Sequence, residues 1–540
     1  SHKWGDHNFS AMAGFSAQRW SNQNEILVGT NSSTDYIYTM NAFASNLTQT
    51  STGTWQTSHS LASLFARITY DYKGRYLLTA NVRRDGSSRF AENNKWGNFP
   101  SASVGWRISD EKFMQFAKPA LDDAKIRVSY GVTGNESIGN YDYVYTYSPS
   151  TIYDGVGGVS ATRIGKDNLK WEETKQFDIG LDLSFWNSRL TATFDYYDKY
   201  TSGLLADYEL PKGFSTMKTN VGEVSNRGFE VAIAGDIIRT KNFRWNASFN
   251  ISRNINQIER LSEGKAYLEG DLWWMQEGGR IGDFYGYKYI NVFQYDESNA
   301  FAEGSWQQLT PVFENGVFQN KYLLNGTEYT GKVLQKTLPN GKPFRGGDIN
   351  WEEPEGSRDG IIDDNDRMII GNALPDVTGG LSTQFTYKDW SLFISFYYSL
   401  GGEIYNFGEH NRNMFKYTGT TPSPDVIYNT WLKQGDIALY PRPYNDEYDN
   451  ARYANSFYVE DGSFIRLQNV RLSYNLPKNW CRKCGVKGIN LYAFVNNALT
   501  WTKYSGFDPE FSTSDPLQIG RDNYRYPKKR EYGVGMSVNF

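Results

Sequence analysis

Along much of the chain, apolar and polar side chains alternate with a period of two. Phe243, Trp245, Ala247, Phe249 and Ile251 fall on one face of a stretch whose other face carries Arg244, Asn246, Ser248, Asn250 and Ser252. The same division appears at Phe177, Ile179, Leu181, Leu183 and Phe185 against Gln176, Asp178, Gly180, Asp182 and Ser184. It returns at Leu64, Ala66, Ile68, Tyr70 and Tyr72 against Phe65, Arg67, Thr69 and Asp71. A strand points successive side chains to opposite faces, so this period marks strands whose two faces meet different surroundings. About fourteen strands are predicted, at residues 8–19, 62–72, 76–85, 100–108, 125–133, 175–185, 189–200, 227–238, 243–255, 379–388, 390–399, 463–475, 489–498 and 530–540.

A soluble sandwich also alternates, so the connections have to separate the possibilities. They run long, short, long, short to the end of the chain. Lys73-Gly74-Arg75, Trp186-Asn187-Ser188 and Lys388-Asp389 are short, whereas 134–174, 256–378 and 400–462 are long. Outer-membrane barrels have short turns on the periplasmic side and long loops outside. A propeller would instead repeat at a near-constant period, and none is found. The fold class read from the pattern is therefore all-β, a transmembrane antiparallel β-barrel.

Composition agrees with that reading. No run of about 18 apolar residues occurs, which excludes a helical span but not a barrel, where only every second residue faces lipid. Aromatic residues make up 16% of the chain, with 39 Tyr, 32 Phe and 16 Trp. They gather beside the short turns, at Tyr70, Tyr72 and Tyr76, at Phe185 and Trp186, at Phe243 and Trp245, and at Tyr387 and Trp390. Amphipathic rings favour the level of the lipid headgroups. The last residues alternate to the end, with Tyr532, Val534, Met536, Val538 and Phe540 on one face. This is similar to the terminal strand that outer-membrane proteins present to their insertion machinery. The net charge of −4 argues against nucleic acid as a partner. The opening Ser1-His2-Lys3-Trp4-Gly5-Asp6 has no signal-peptide pattern, so the chain is expected to be a piece of an exported protein without its natural N-terminus.

Several stretches resemble one family, the SusC-type TonB-dependent transporters (the RagA/SusC type), in their C-terminal barrel portion. They are Tyr76-Leu77-Leu78-Thr79-Ala80-Asn81-Val82-Arg83-Arg84-Asp85-Gly86-Ser87-Ser88-Arg89-Phe90 with Trp96-Gly97-Asn98-Phe99-Pro100-Ser101, and Leu169-Lys170-Trp171-Glu172-Glu173-Thr174 leading through Gly180-Leu181-Asp182 to Asp195-Tyr196-Tyr197. Asn226-Arg227-Gly228-Phe229-Glu230 follows, then Gly360-Ile361-Ile362-Asp363-Asp364-Asn365-Asp366-Arg367 with Ile370-Gly371-Asn372. The last are Asp461-Gly462-Ser463-Phe464-Ile465-Arg466-Leu467-Gln468-Asn469, Thr500-Trp501 and Gly506-Phe507-Asp508-Pro509-Glu510. The resemblance implies a 22-stranded barrel filled by an N-terminal plug, capped by a SusD-like surface lipoprotein and energised through TonB. Residues 1–540 would then be the barrel portion alone, its fourteen strands the last of twenty-two, with the plug and first strands on the N-terminal portion of the same transporter. The implied function is import of oligosaccharides or oligopeptides across the bacterial outer membrane, in contact with its lipid. Two alternatives stay open, a passive porin and a surface carbohydrate-binding β protein.

Candidate chemistry is sparse. His2, His7, His59 and His410 are scattered, and no nucleophile motif accompanies them, so an enzyme is not expected. Glu355, Ser357, Asp359, Gly360, Asp363 and Asp366 fall at positions 1, 3, 5, 6, 9 and 12 of a calcium-loop pattern. A solvated acidic turn fits the same residues, and no other cofactor is implied. Cys481 and Cys484 form a lone C-x-x-C, which leaves a local disulfide and two free thiols equally open. Trp273, Trp274, Trp306, Tyr405 and Tyr417 in the long loops are candidates for stacking on cargo, although loop aromatics also pack the loop itself. Arg67, Arg83, Arg127 and Arg244 fall on polar strand faces, as candidate cargo contacts in a polar interior. None of these residues names the cargo.

Overall fold

The alternating stretches become long antiparallel ladders in the computed structural model. It describes residues 1–540 apart from 33, 35, 37–38, 40–42, 45–51, 154–155, 209–216, 262–263, 414–420, 444–453, 484, 512 and 514. All fourteen expected strands are present. In chain order they are β1 His7–Leu27, β2 Thr52–Tyr72, β3 Tyr76–Ser87, β4 Trp96–Arg107, β5 Leu121–Asn135, β6 Glu172–Phe185 and β7 Leu190–Ser202. There follow β8 Gly222–Arg239, β9 Phe243–Leu261, β10 Val377–Tyr387, β11 Trp390–Leu400, β12 Phe464–Asn475, β13 Gly488–Thr502 and β14 Glu531–Asn539. A three-residue strand, His2–Trp4, adds to β1 through Trp4 opposite His7. Among the described residues three short helices form, α1 Phe407–Asn413, α2 Pro424–Asn429 and α3 Lys478–Lys483. Among the described residues no helix is long and apolar enough to cross a membrane.

The chain divides into two compact units, Ser1–Phe229 with Glu259–Glu263, and Glu230–Ile258 with Gly264–Phe540. In the first, β1 to β7 pair in sequence order, each antiparallel to the next. In the second, β9 to β14 pair likewise. Short turns at 73–75, 186–189 and 388–389 close one end of these ladders. Lys73 and Gly74, Trp186, Asn187 and Ser188, and Lys388 all adopt positive φ there, as tight hairpins with right-handed strand twist require. The expected long and short alternation fails at one place. The outer connection 88–95 is shorter than the inner one at 108–120, which folds into two 3-10 turns.

Several strand ends were read too short, by four residues or more in β4, β5, β8, β9 and β13, and by most at the paired ends of β1 and β2. β1 and β2 each run 21 residues rather than stopping at 19 and starting at 62. At about 3.4 Å per residue such a strand spans roughly 70 Å, far more than the ~25 Å apolar band of a barrel wall. The surplus, 20–27 and 52–61, is mostly polar on both faces apart from Trp20, Trp55 and its ends, as suits a stretch beyond the lipid, so the alternation that marks a strand disappears.

The apolar rows of the ladders have no protein layer over them. Phe9 and Phe15 on β1, Phe177 and Ile179 on β6, Leu381 on β10, and Tyr532, Val534 and Met536 on β14 are all exposed, Val534 to 87%. Hydrophobic clusters do form, but they are built largely from loop residues. One gathers Phe90, Phe99, Ile138, Leu169 and Trp171, and another gathers Tyr287, Phe293, Phe301, Leu338, Phe344, Ile349, Trp351 and Ile362. Exposed apolar surface on this scale is far beyond what a water-soluble monomer carries. The girdle is present too, with Trp4, Tyr76, Trp186, Tyr387 and Trp390 exposed beside short turns.

Glycines and aromatics interlock across the ladders, which accounts for the abundance of both. Gly14 faces Phe65, Gly533 faces Phe494, Gly535 faces Tyr492 and Gly379 faces Tyr398. A Cβ at Gly14 would sit 2.4 Å from the Phe65 ring, a contact the ring can relieve by swinging aside. At Gly379 it would meet the backbone carbonyl of Asn250 at 2.2 Å, and through the same gap the Tyr398 hydroxyl donates to that carbonyl at 2.9 Å. Gly379→Ala is therefore expected to cost about 1–3 kcal/mol, the range for overpacking, and more than Gly14→Ala. Denaturant unfolding of the two variants in lipid checks this, and equal stabilities would show that the close approach at Gly379 does not exist.

Candidate functional site

Within the long connection between β9 and β10, residues 264–376 are a folded body rather than a loose loop. Its base is closed by a ladder between Asp283–Gly286 and Met368–Asn372. Asn372 pins that base, its side-chain amide donating to Asp283 Oδ1 at 2.7 Å while its backbone N–H donates to Glu403 at 2.8 Å. Gly371 has to be glycine, because a Cβ would fall 2.5 Å from the Glu403 carboxylate. The Ile370-Gly371-Asn372 stretch thus has a structural explanation.

Within this body, charged groups are buried in pairs, a feature the sequence pattern did not reveal. Lys336, Glu353 and Asp366 are all buried. The Lys336 ammonium donates to Asn350 Oδ1 at 3.1 Å and to the Trp351 carbonyl, lies 3.8 Å from Glu353, and sits over the Phe301 ring. Glu353 in turn accepts the backbone N–H groups of Asp359 and Gly360 at 3.2 and 2.8 Å. Gly360 has φ +82°, and the Trp306 ring lies where its Cβ would be. Burial pulls the Lys336 ammonium down to about 8 against the pull of Glu353. Burial likewise pushes the Asp366 carboxyl up to about 6, against the hydrogen bonds from Asp363 N–H and the Ser357 hydroxyl.

The acidic stretch borders an open cavity of about 590 Å³ lined by Pro354, Ser357, Asp359, Asp363, Asn365 and Arg367. Asp359 accepts from Ile361 N–H at 2.8 Å, Asp363 caps a 3-10 turn through Asn365 N–H at 2.7 Å, and Asp366 is held as described. Among the described residues no three His, Cys, Asp or Glu side chains group so as to hold a metal. The carboxylates of Asp359, Asp363 and Asp366 serve the turns, and the Ser357 hydroxyl donates to Asp366 Oδ1 at 2.9 Å.

The loop aromatics divide. Trp273 is 1% exposed, its indole N–H donating to the Ile519 carbonyl at 2.8 Å, and Tyr405 is equally buried with its hydroxyl 3.0 Å from His410 Nδ1. Both are core residues and cannot stack on cargo in this arrangement. Trp306 packs against the Phe301 cluster. Trp274 stacks on Tyr285 at 4.3 Å and stays partly exposed, so it remains a candidate platform. Tyr417 lies outside the described residues, as does Cys484. Cys481 is buried, its thiol 3.7 Å from the Leu476 carbonyl.

The four arginines do lie on polar strand faces, but each is occupied by the wall itself. Arg67 donates to Asn81 at 2.6 Å, Arg83 to both oxygens of Asp85 and to Ser63, and Arg244 to Asp236 at 2.7 Å. Arg127 reaches Asp182 at 2.8 and 3.0 Å and Asp195 at 2.7 Å. That bridge crosses three strands because Gly180, opposite both Arg127 and Asp195, has no Cβ to block it. The Gly180-Leu181-Asp182 and Asp195-Tyr196-Tyr197 stretches are thereby explained as a cross-strand clamp.

Bare apolar rows on one face and ion pairs on the other are what a membrane wall requires. The family described as TonB dependent receptor-like, beta-barrel, matches residues 2–498. The chain belongs to the TonB-dependent receptor β-barrel family. It is 41% identical over 99% of its length to TonB-dependent receptor P39 of Formosa agariphila, covering 51% of that protein. It is 28% identical over 90% of its length to TonB-dependent receptor SusC of Bacteroides thetaiotaomicron, covering 44%. Its fold is similar to that in the structure of the RagAB peptide transporter, with TM-score 0.77 at 22% identity over 99% of this chain and 54% of that one. The chain thus spans about half the length of the curated relatives it matches. This TonB-dependent receptor barrel is a SusC-like outer-membrane protein of a family of receptors, not enzymes.

The buried carboxyl yields a test of the loop. An Asp366 held near 6 binds its proton more tightly in the folded loop than an exposed aspartate does, so protonation favours the ordered state, and that stabilisation is lost as pH rises through about 6. Hydrogen exchange at Gly360 and Asp366, corrected for base catalysis, is expected to speed up from one unit below that value to one unit above. Asp366→Asn should abolish the dependence, and an unchanged corrected rate in the wild type would refute the assignment.

Proposed function

We propose that this chain is the C-terminal wall portion of a TonB-dependent importer of large nutrients, oligosaccharides or oligopeptides. The remaining wall and the gating plug lie on polypeptide beyond this chain, and a SusD-like lipoprotein caps the outer loops. The observation that carries the reading is the pairing of an uncovered apolar face with an opposite face of engaged ion pairs, below loops folded about their own core. Similarity to SusC and to the RagAB peptide transporter supports the same class. In this mechanism the wall is a rigid frame. Its strands are fixed by cross-strand clamps such as Arg127 with Asp182 and Asp195, cargo is enclosed from outside, and a pull on the plug opens the path.

A passive porin would need no energy coupling, and a surface carbohydrate-binding protein would not move cargo at all. Uptake of labelled oligosaccharide and oligopeptide pools by cells carrying the full-length protein separates these readings. Uptake is expected for one pool and should fall to background when TonB is deleted. Persistence without TonB would leave the porin, and surface binding without uptake would leave the binding protein.

A further inference from the structure

The inner connection 108–120 joins β4 to β5 at the same end of the first unit as the tight turns 73–75 and 186–189, yet it is much longer than either. Its second part, Lys112–Ala117, is a 3-10 helix. With three residues per turn, side chains three apart eclipse, so residues 111–118 present three separate faces. Glu111, Met114 and Ala117 are partly buried and form the face toward the wall. Lys112, Gln115 and Lys118 form an exposed polar face. Phe113 and Phe116, 58% and 80% exposed, form a third face that is wholly apolar.

Two hydrogen bonds fix the side of the wall on which this segment lies. The Glu111 carboxylate accepts from the Tyr76 hydroxyl at 2.6 Å and from the Trp106 indole N–H at 3.2 Å, and its other oxygen lies 3.6 Å from Arg75. Tyr76 and Trp106 are directly opposite each other on β3 and β4. They continue the apolar rows of Leu78 and Val104, both exposed to lipid. The Phe113 ring stands edge-on to the Trp106 ring, with centroids 6.3 Å apart. The segment is therefore tied to the outside of the wall, and its exposed rings extend the lipid-facing rows beyond the ends of the strands.

That continuity decides what covers the rings. A protein docked on them would have to displace the lipid around β3 and β4, whereas the leaflet already reaches this level. Rings at the boundary between headgroups and acyl chains are covered, and lysines beside them can extend to the phosphates. The acids of the segment are engaged, Asp110 with Arg107 and Glu111 with Arg75, which leaves the exposed Lys112 and Lys118 to set its charge toward the leaflet. We propose that 108–120 is a membrane-interface segment. Phe113 and Phe116 enter the headgroup and acyl boundary of the phospholipid leaflet at the short-turn end, which in outer-membrane barrels is the periplasmic one. Lys112 and Lys118 meet its phosphates, and Glu111 holds the segment against the wall. The proposal rests on the lipid-facing wall, whichever cargo the importer takes.

Fluorine NMR of the full-length protein in nanodiscs of phosphatidylcholine and phosphatidylglycerol tests it. Trifluoromethylphenylalanine is placed singly at Phe113, at Phe116 or, as a reference, at Phe194, which lies exposed in the apolar row of β7 opposite Leu181. A phospholipid carrying a nitroxide near the top of its acyl chain is expected to remove the signals at Phe113 and Phe116 as it removes that at Phe194. A water-soluble gadolinium chelate should weaken them less than the labelled lipid does. Signals at Phe113 and Phe116 that are lost to the chelate but spared by the lipid, or spared by both because protein covers them, would overturn the proposal. The signal at Phe194 reports separately on the wall, so failure of the segment and failure of the membrane reading are distinguishable.

Discussion

The structure depends on one constraint, that every second side chain of the long strands faces hydrocarbon while its neighbours face water or protein. Hydrocarbon offers no hydrogen-bond partners, so backbone groups must be satisfied by the adjacent strand, and the ladders run without a break in register over most of their length. The polar face then has to be stabilised strand by strand, which is the role of the clamp between Arg127, Asp182 and Asp195. Glycine is the enabling residue on both faces. Gly180 lets the clamp cross on the polar face, and Gly379, in the apolar row with Leu381, lets the Tyr398 hydroxyl reach the neighbouring backbone.

Beyond the lipid the logic reverses. The outer connections meet water, so they bury apolar residues within themselves and fold about Trp351, Phe301 and Ile362. A body this small gains rigidity from buried polar groups, with Lys336 and Glu353 tying the acidic stretch to its core. Burying a charged pair is a weak source of stability but a strong penalty on alternatives that leave either partner alone. The acidic residues that resemble a cation loop are thereby turned to capping and turn formation.

How much of this was legible follows from range. Strand positions were legible because the period of two is written in adjacent residues, and Phe177 to Phe185 needs no distant partner to be read. Strand ends beyond the lipid were not, because the stretch 20–27 is mostly polar on both faces. The arginines were placed on the correct face, yet their partners depend on register between strands, which 127 and 195 do not announce. Trp273 and Tyr405 were left open between stacking on cargo and packing their own loop, since a large ring in a loop fits either role. Only the fold, bringing Ile519 and His410 to them, decides for burial. Lys336 and Glu353 gave no local signal at all, because a lone charge in a loop ordinarily faces solvent.

The claim that lipid touches alternate side chains is open to a direct measurement. Nitroxide labels placed singly along β6 of the full-length protein in bilayers, from residue 177 to residue 183, report collisions with oxygen, which concentrates in hydrocarbon, and with a polar nickel chelate, which does not. The account predicts a period of two, with labels at Phe177, Ile179, Leu181 and Leu183 meeting oxygen and those at Asp178, Gly180 and Asp182 shielded from it. Equal access of the nickel chelate to both rows, or an apolar row shielded from both reagents by protein, would contradict it.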